Sequence, residues 1–521
     1  MLSCAYSAGI CGIDGFLVTV ECNCTKRMSV FEIVGLPDNA IKEAKERVRS
    51  ACLNCGFGFP DLEIIVNLAP ADIKKEGSSF DLAILISLLK ASGRLGNRED
   101  SERVDISGDC FIGELSLSGD IRPVRGALCM AISAKQAGKT RVFVPYENAK
   151  EASVVGGIDV YAVRNAREVV NFLIGICELE KYVYTPNESE EMQAYPDFAD
   201  VKGQAQAKRA AEIAAAGGHN LLLIGPPGTG KSMIAKRIPS ILPEMTFDES
   251  IETTKVHSIS GILPSDVSLI RTRPFRSPHH TMSTPSLVGG GRIPMPGEVS
   301  LANNGVLFLD EFPEFSKSVT EALRQPLEDG AVTITRASGR VRYPCSFMLV
   351  CAMNPCRCGY RGHPTHDCTC TDTEVRKYMS KISGPLLDRI DIQIEVPSLS
   401  YTEISGSNRV EEPSSVIRER VNKARKIAWE RFKGERTDNG NPIYCNAQME
   451  AKHIRKYCAL DEACSRLMER AYDALGLSAR GHDRILRLAR TIADLAGAQS
   501  IEPRHLAEAI QLRTLDKNMG I

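Results

Sequence analysis

The chain has 521 residues, 43% hydrophobic and 25% charged, a composition typical of a soluble globular protein with roughly two to four domains. Its net charge of −1 excludes a global basic field, so nucleic-acid binding would have to come from local patches. The chain lacks both a signal-peptide pattern and an apolar run of the roughly 18 residues that a membrane helix needs, which predicts a cytoplasmic protein with no membrane partner and with cysteines kept as thiols or metal ligands.

Residues 1–180 begin with strand-like alternation and a helix predicted over residues 39–52. A further helix is predicted to start at Phe80 or Asp81, with Ser79 as its N-cap and Asp81 favourable in its first turn. Residues 181–198 carry Glu, Tyr, Pro, Asn and Ser without periodicity, which indicates a linker.

Residues 220–238 contain a phosphate-binding pattern. An apolar strand at 220–224 leads into Gly-Pro-Pro-Gly-Thr-Gly-Lys-Ser, and a helix is predicted over 233–238. A strand, a Gly-rich turn and a helix start form a P-loop, whose backbone N–H groups bind phosphate. Lys231 would reach the β- and γ-phosphates and Ser232 would offer a hydroxyl to Mg²⁺. The predicted ATP-binding residues are Gly225, Pro226, Pro227, Gly228, Thr229, Gly230, Lys231 and Ser232.

Two basic stretches follow. Residues 271–297 hold four arginines and no carboxylate. Residues 331–344 are predicted to form a hairpin, with strands at 332–335 and 340–342, and they also lack an acid.

Two further strands end in polar side chains. Residues 305–311 end in Asp310 and Glu311, and residues 347–354 end in Asn354. Strand ends on one edge of a parallel sheet are where ligands bind. We therefore predict that Asp310 holds Mg²⁺, Glu311 polarises the attacking water and Asn354 orients that water. The alternative for Asn354 is that it caps a loop.

A cysteine cluster follows Asn354. Cys356, Cys358, Cys368 and Cys370 bracket a polar loop that contains His363 and His366. Four thiolates in a compact loop can hold a tetrahedral structural Zn²⁺, although Cys-x-Cys spacing is less common than Cys-x-x-Cys. The alternatives are free thiols, or either histidine as a substitute ligand.

Residues 401–415 form a second polar break and the chain then becomes helical over 416–521. Within this part, apolar residues recur at Ile485, Leu488 and Ile492 in a helix that begins near Leu477.

The P-loop, the acidic strand and the Asn-ended strand resemble Walker A, Walker B and sensor 1 of AAA+ ATPases. The resemblance implies an α/β P-loop core at 199–400 with an α-helical lid at 416–521, working as a ring. Residues 384–391 resemble the family's Leu-Leu-Asp-Arg element, which makes Arg389 the candidate arginine finger; the alternative is an ion pair with Asp388 or Asp391. Residues 477–484 resemble sensor 2, with Arg480 the first choice and Arg484 close behind.

The two basic stretches resemble the helix-2 insert and pre-sensor-1 hairpin of the clade that contains magnesium-chelatase ATPase subunits and MCM helicases. In ring helicases such elements face the central channel, where acid-free basic loops would follow a phosphate backbone without reading its sequence. The alternative is that these arginines bind a partner subunit or ATP. The DNA-binding candidates are Arg273, Arg276, Arg336, Arg340 and Arg342.

Nearly the whole chain resembles the YifB/ComM family. The sequence motifs that carry this resemblance include Phe-Arg-Ser-Pro-His-His at 275–280, Asn-Pro-Cys-Arg-Cys-Gly at 354–359 and Ala-Arg-Gly-His-Asp-Arg at 479–484. The resemblance implies a homohexameric, ATP-driven motor on single-stranded or branched DNA that promotes branch migration in natural transformation or general recombination. A competing function is a chelatase motor that drives metal insertion into a porphyrin.

The N-terminal region resembles the Lon protease domain, which implies an α+β fold of the ribosomal-S5-domain-2 type. Ser79 falls at the position of the nucleophile and Leu128 at the position of the catalytic lysine. A serine without an adjacent base stays a weak nucleophile. The domain is therefore predicted to be non-proteolytic, and an ATP-dependent peptidase is the second competing function.

Overall fold

The computed structural model describes residues 1–26, 29–96, 98–185, 195–264, 266–291, 294–336, 339–399, 411–438, 440 and 442–513. Two compact units divide the chain. The first unit comprises Met1–Glu190, Phe247–Ile270 and Thr333–Tyr343, and the second comprises Glu191–Thr246, Arg271–Val332 and Pro344–Ile521. The linkers predicted at 181–198 and 401–415 fall largely on residues outside this description.

Strands and helices alternate along most of the chain. The strands are β1 (Leu2–Cys11), β2 (Asp14–Thr25), β3 (Val30–Val34), β4 (Glu63–Ala69), β5 (Asp109–Phe111), β6 (Glu114–Leu115), β7 (Ile121–Arg122), β8 (Arg141–Pro145), β9 (Asp159–Val163), β10 (Leu221–Ile224), β11 (Phe275–Arg276), β12 (Gly289–Gly290), β13 (Met295–Pro296), β14 (Val306–Leu309), β15 (Ala331–Arg336), β16 (Gly339–Pro344), β17 (Met348–Met353) and β18 (Ile392–Glu395). The α-helices are α1 (Asn39–Asn54), α2 (Asp81–Ala91), α3 (Arg98–Arg103), α4 (Ala127–Gln136), α5 (Ala149–Ser153), α6 (Ala166–Leu173), α7 (Ala205–Gly217), α8 (Lys231–Ala235), α9 (Ile238–Ile241), α10 (Phe247–Ser260), α11 (Thr284–Val288), α12 (Glu298–Leu301), α13 (Lys317–Ala322), α14 (Arg324–Asp329), α15 (Asp372–Met379), α16 (Gly384–Leu387), α17 (Ser414–Phe432), α18 (Ala451–Tyr457), α19 (Glu462–Leu475), α20 (Ala479–Leu495) and α21 (Pro503–Gln511).

The first unit contains a four-stranded mixed sheet in the order β1-β2-β4-β3 and a three-stranded parallel sheet in the order β5-β8-β9. The predicted helix at 39–52 is confirmed as α1. It starts because the Asp38 side chain accepts the N–H of Ile41, and it buries one face through Ile41, Ala44 and Val48.

The expectation that Ser79 caps α2 is wrong. The cap residue is Phe80, and it makes no side-chain capping hydrogen bond. The N–H of Leu82 donates instead to the carbonyl of Gly113 at 3.2 Å, so the helix start is satisfied by a neighbouring strand connection. The Ser79 hydroxyl donates to the carbonyl of Ala8 at 3.5 Å.

The second unit is built on a five-stranded parallel sheet in the order β11-β14-β17-β10-β18. All residues of β10, β14 and β17 are buried, as expected for strands covered on both faces. Ile224 pairs with Met353 and Leu309 with Cys351, so these three strands end at one edge of the sheet. The side chains that follow each strand are therefore brought together.

The helix predicted over 233–238 is shorter than expected and is followed by a second one. Helix α8 ends at Ala235 and α9 begins at Ile238, with Pro239 in its first turn. A proline inside a helix clashes with the carbonyl four residues earlier, which here belongs to Ala235. Pro239 therefore ends the P-loop helix after five residues.

One apolar core joins the parallel sheet to the C-terminal helices. Leu223 of β10 and Val350 of β17 belong to the same buried cluster as Ile485 and Leu488 of α20. The helix predicted near Leu477 is confirmed, with Ser478 as its N-cap accepting the N–H of Gly481 at 3.1 Å. The described residues contain no helix of the length and hydrophobicity that crossing a membrane requires.

The predicted hairpin is confirmed as β15 and β16. Most of it belongs to the first unit, together with α10, although both lie in the 199–400 segment of the chain. Gly12, with φ of 67°, lies under the hairpin, because a Cβ at this position would be 3.0 Å from Cγ1 of Val341. The Ser258 hydroxyl of α10 donates to the buried Glu151 carboxylate at 2.5 Å.

Candidate active site

The loop between β10 and α8 has the backbone form of a phosphate-binding loop. Gly228 and Gly230 have φ values of 80° and 89°, in the left-handed region that favours glycine. The Thr229 hydroxyl donates to the carbonyl of Pro226 at 3.0 Å and closes the turn. A curled Gly-rich loop that leads into a helix start presents N–H groups to an anion, which suits a phosphate group.

Lys231 connects this loop to the end of β17, the strand that pairs directly with β10. Its Nζ donates to the carbonyls of Gly225 and Pro226 at 2.6 and 2.8 Å and to Oδ1 of Asn354 at 3.2 Å. Burial lowers the pKa of Lys231 to about 8, and the nearby Asp310 carboxylate only partly opposes that shift. A phosphate anion beside this ammonium group would favour its protonated form.

Ser232 and Asp310 form the second contact across the sheet edge. The Ser232 hydroxyl donates to Oδ2 of Asp310 at 2.6 Å. A hydroxyl and a carboxylate are ligands that Mg²⁺ prefers, and here they already converge beside the phosphate loop. The two residues therefore fit Mg²⁺, which would neutralise phosphate charge when bound.

Glu311 follows Asp310 in an uncommon backbone conformation, with φ of 51°. Its N–H donates to Oδ1 of Asp310 at 3.0 Å, and its carboxylate is 60% exposed. Non-glycine residues in the left-handed region cluster at functional sites. Glu311 therefore offers an accessible base next to the metal-ligating pair.

His280 is a site residue for which the sequence analysis predicted no role. Its Nδ1 lies 3.4 Å from Oε2 of Glu311, and its ring contacts Phe315. The signal was present, because His280 follows β11, which pairs in parallel with the strand that ends at Asp310. A residue just after that neighbouring strand is placed to reach the same sheet edge.

Arg389 lies outside this group of residues and pairs within its own subunit. Its guanidinium forms an ion pair with Glu328, and its Nη1 donates to the carbonyl of Pro385 at 2.5 Å. The side chain is only 10% exposed. The sequence left open a pair with Asp388 or Asp391, but the structure brings Glu328 to Arg389 instead.

The two sensor 2 candidates have different environments. Arg480 is exposed in the first turn of α20. Arg484 is 9% exposed, with its Nη1 3.8 Å from Oδ1 of Asp388 and its Nε 3.7 Å from Oδ1 of Asp391. Burial lowers the pKa of Arg484 to about 10. Arg484 therefore lies near internal carboxylates, whereas Arg480 is exposed to solvent, and the choice between them as sensor 2 stays a prediction.

The chain matches known proteins over almost its full length. Three family models match it in order: subunit ChlI of Mg-chelatase at residues 20–148, magnesium chelatase subunit ChlI at 197–404, and its C-terminal part at 411–513. Competence protein ComM of Haemophilus influenzae is 43% identical over 520 residues, which cover 99% of this chain and 98% of that protein. The chain belongs to the YifB/ComM family of magnesium-chelatase-like AAA+ ATPases. Membership in this family implies that the protein binds ATP and Mg²⁺, and the residues of the site are suited to bind both.

Two further relatives bear on this YifB/ComM-family chain. An uncharacterized protein YifB of Escherichia coli is 40% identical over 523 residues, covering 99% of this chain and 98% of that protein. Lon protease 2 of Bacillus subtilis is 27% identical over 135 residues, which is 26% of this chain and 23% of that protein. The family assignment is therefore secure over the whole chain, whereas the similarity to Lon covers a short part of it.

Two of the DNA-binding candidates form hydrogen bonds within the second unit of this family member. The Arg273 guanidinium donates to the carbonyls of Pro243 and Asn304 at 2.6 and 2.7 Å. Arg276 makes two hydrogen bonds to Glu298, at 2.6 and 2.8 Å. Both side chains are thus held by internal hydrogen bonds, and their predicted DNA contacts stay predictions. The acid-free stretch ends at Gly297, one residue before the carboxylate that neutralises Arg276.

The hairpin keeps accessible arginines. Arg340 and Arg342 are exposed and alternate with the half-buried Val341 along β16, so the two guanidinium groups lie on one face of the strand. The side chain of Arg336 lies outside the described residues, and its predicted DNA contact stays a prediction.

The four cysteines of the loop after β17 lie together. The Sγ of Cys356 is 3.3 Å from that of Cys358 and 3.7 Å from that of Cys368, and all four sulfurs lie within 4.8 Å of one another. The metal-ligand group contains neither His363 nor His366. Nδ1 of His363 accepts instead the N–H groups of Thr365 and His366, so it is occupied within its own loop.

Ser79 and Leu128 are the two residues that the resemblance to Lon proteases matches to a nucleophile and a lysine. Ser79 is buried, which denies a peptide carbonyl access to its hydroxyl. Leu128 is fully buried and belongs to an apolar cluster with Val154 and Leu269. The YifB/ComM-family chain therefore has an apolar contact where Lon-type chemistry would require a lysine ammonium group.

Proposed function

We propose that this protein is a DNA-stimulated ATPase that works as a homohexameric ring and drives branch migration of recombination intermediates. The observation that carries the proposal is the connection of the hairpin to the nucleotide site. Strand β16 ends at Pro344 and β17 begins at Met348, so three residues separate the hairpin that bears Arg340 and Arg342 from the strand that leads to Asn354. A displacement of β17 along its length would therefore be passed on to the hairpin.

The hydrolysis step follows from the residues at the sheet edge. Lys231 binds the β- and γ-phosphates, Ser232 and Asp310 hold Mg²⁺, and Glu311 accepts a proton from the attacking water. Asn354 orients this water. Arg480 would contact the γ-phosphate of its own site, and Arg389 would contact that of the neighbouring subunit.

The setting of this activity comes from the relatives. The designation of a full-length relative as a competence protein supports a role in competence, where incoming DNA is recombined. The same branch-migration activity would also serve general recombination. The N-terminal unit is proposed to have a Lon-like fold without peptidase activity, because Ser79 is buried and Leu128 is apolar.

We expect DNA to stimulate ATP hydrolysis by the wild-type protein and the double variant Arg340→Ala/Arg342→Ala to lose that stimulation. Each arginine that binds a DNA phosphate releases counterions. Removing two of them should therefore lower the slope of log Kd against log salt concentration by about two. The measurement is the ATPase rate with single-stranded DNA, with a four-way junction and without DNA, together with Kd for DNA at several salt concentrations.

The matched control is Arg466→Ala/Arg470→Ala. These two arginines are exposed on α19, so the control removes the same charge from the lid. It should keep both the stimulation and the salt dependence. Stimulation that survives in the hairpin variant, or that is lost equally in both variants, would exclude the hairpin as the DNA contact.

We further propose that the cysteine cluster holds a structural Zn²⁺. A tetrahedral site with Zn–S bonds of about 2.3 Å has sulfurs about 3.8 Å apart, and three of the observed Sγ–Sγ distances are 3.3, 3.6 and 3.7 Å. The N–H of Tyr360 donates to the Cys358 sulfur and lowers the pKa of this thiol, whereas the neighbouring sulfurs raise the pKa of Cys368, so a bound metal would have to displace the protons that the cluster shares.

The zinc proposal is tested by metal analysis of the purified full-length protein. We expect about one zinc per chain and a drop to less than about a tenth of that in Cys368→Ser, because one of four ligands is lost. Cys177→Ser, which removes a thiol from the first unit, should retain the metal. Equal zinc contents in the two variants would exclude the cluster as the binding site.

The second candidate function is a chelatase motor, which the names of the three matching family models favour. A porphyrin metallation assay with chelatase partner subunits separates the two functions. ATP-dependent metallation without any response of the ATPase to DNA would replace the DNA-motor proposal.

A further inference from the structure

The cysteine loop begins directly at the nucleotide site. The chain leaves β17 at Met353, and Asn354 and Pro355 lead to Cys356, which is fully buried. Oδ1 of Asn354 accepts from Nζ of Lys231 at 3.2 Å. The first sulfur of the cluster is therefore two residues from a side chain that contacts the P-loop lysine.

The same loop also packs on the P-loop itself. Gly359 has φ of 88°, and a Cβ at this position would lie 2.9 Å from Cδ of Pro227 and 3.9 Å from Cγ of Asn354. A contact of 2.9 Å is closer than carbon atoms tolerate, so the approach of the loop to Pro227 depends on glycine. The α-carbon of Gly359 thus faces both the phosphate-binding loop and the proposed water-orienting residue, with room for a hydrogen but not for a side chain.

The cluster determines whether the loop can keep this position. Cys356 and Cys358 lie at its start and Cys368 and Cys370 at its end, with nine residues between Cys358 and Cys368. A metal bound by all four would cross-link the two ends next to Gly359. Without it, no bond would connect the two ends of the loop, and the intervening residues would regain conformational freedom.

We propose that the metal centre is required for ATP turnover, because it presses Gly359 against Pro227 and fixes Asn354. The inference deepens the proposed ATPase function and rests on metal binding by the cluster. Metal loading then regulates the motor from within its own active site, and removal of zinc by a chelator would switch it off.

The first test uses the full-length protein with and without metal. Zinc is removed with a zinc-selective chelator and the protein is returned to excess Mg²⁺. We expect kcat to fall by about 10-fold or more, since small displacements of positioning groups cost up to about 10²-fold in rate. Kd for a fluorescent ATP analogue should change by less than about threefold, because Lys231 and the P-loop N–H groups remain.

Reconstitution provides a readout that is independent of activity. Addition of Co²⁺ to the metal-free protein should produce the visible absorption of a tetrahedral thiolate site, and turnover should return in proportion to that absorption. Turnover of metal-free protein within about twofold of the zinc-loaded protein would overturn the inference, because a positioning group displaced by metal loss should cost far more.

The second test separates the loop contact from the metal. Gly359→Ala should retain zinc as the wild type does but lose about 10-fold or more in kcat, because its Cβ pushes the loop from Pro227. The matched control is Gly362→Ala, in the same loop with φ of 76° and no atom within 4 Å of the added Cβ. Equal kcat values for the two zinc-loaded variants would overturn the inference.

The failures are distinguishable. A wild-type protein that hydrolyses ATP but contains no zinc and gives no cobalt spectrum would overturn the metal proposal and this inference, leaving the ATPase proposal in place. A zinc-loaded wild type that does not hydrolyse ATP would overturn the ATPase proposal and this inference together.

Discussion

Replacing Glu311 with glutamine should lower kcat for ATP by about 10²–10⁴-fold, because the variant loses the general base that accepts the proton of the attacking water. ATP binding should be unchanged, since Lys231 and Ser232 contact the phosphate side of the site and do not depend on Glu311. Steady-state hydrolysis and Kd for a fluorescent ATP analogue measure the two effects separately.

The control for this variant is Glu314→Gln. Glu314 is three residues further along the chain, is similarly exposed and pairs with Lys381 at 3.0 Å on the surface. Its replacement removes the same charge but no proposed base, so kcat should stay within about twofold. A Glu311→Gln protein that hydrolyses ATP at the wild-type rate would remove Glu311 from its assigned role.

The nucleotide site could be predicted from the sequence because its parts are local. A buried apolar strand followed by a polar side chain is visible in the sequence, and parallel pairing then brings the strand ends together. For this reason Lys231 contacts Asn354, and Ser232 contacts Asp310. The prediction did not need the order of the strands in the sheet. It needed only that the strands run parallel, so that their carboxyl ends lie at the same edge.

The sequence does not reveal side-chain partners that lie beyond the segment that suggested a role. Arg276 lies in an acid-free stretch, but Glu298, the first residue of α12, follows that stretch immediately and pairs with it. Ser79 precedes a helix, yet the free N–H of Leu82 finds Gly113 instead. A local sequence pattern identifies a side chain that can make an interaction, but the tertiary packing determines which partner lies next to it.

Tertiary packing also determines which segments of the chain belong to the first unit. Helix α10 and most of the hairpin lie in the chain between P-loop and sensor 1, but they pack with the N-terminal residues. The contacts are small and specific, such as Val341 over Gly12 and Ser258 on the buried Glu151. Such contacts between residues more than 100 positions apart leave no periodic signal in the sequence.

Replacing Arg389 with alanine should lower kcat by about 10³-fold or more, because an arginine finger stabilises the charge that develops on the transferred phosphoryl group. The structure adds a requirement to this role. The guanidinium pairs with Glu328 of its own subunit, so it must leave that carboxylate to reach a neighbouring nucleotide. Glu328→Gln should therefore raise the ATPase rate of assembled rings, since it weakens the competing pair.

Mixed rings test whether Arg389 acts on the neighbouring subunit. An Arg389→Ala subunit keeps its own Glu311, and a Glu311→Gln subunit keeps its own Arg389. Each variant alone should be nearly inactive, but a mixture should regain activity at interfaces where an intact Glu311 meets an intact Arg389. If Arg389 served its own site instead, no combination of the two subunits would contain a complete site. Mixtures that stay inactive although both proteins assemble with ATP and junction DNA would rule out the proposed action between subunits.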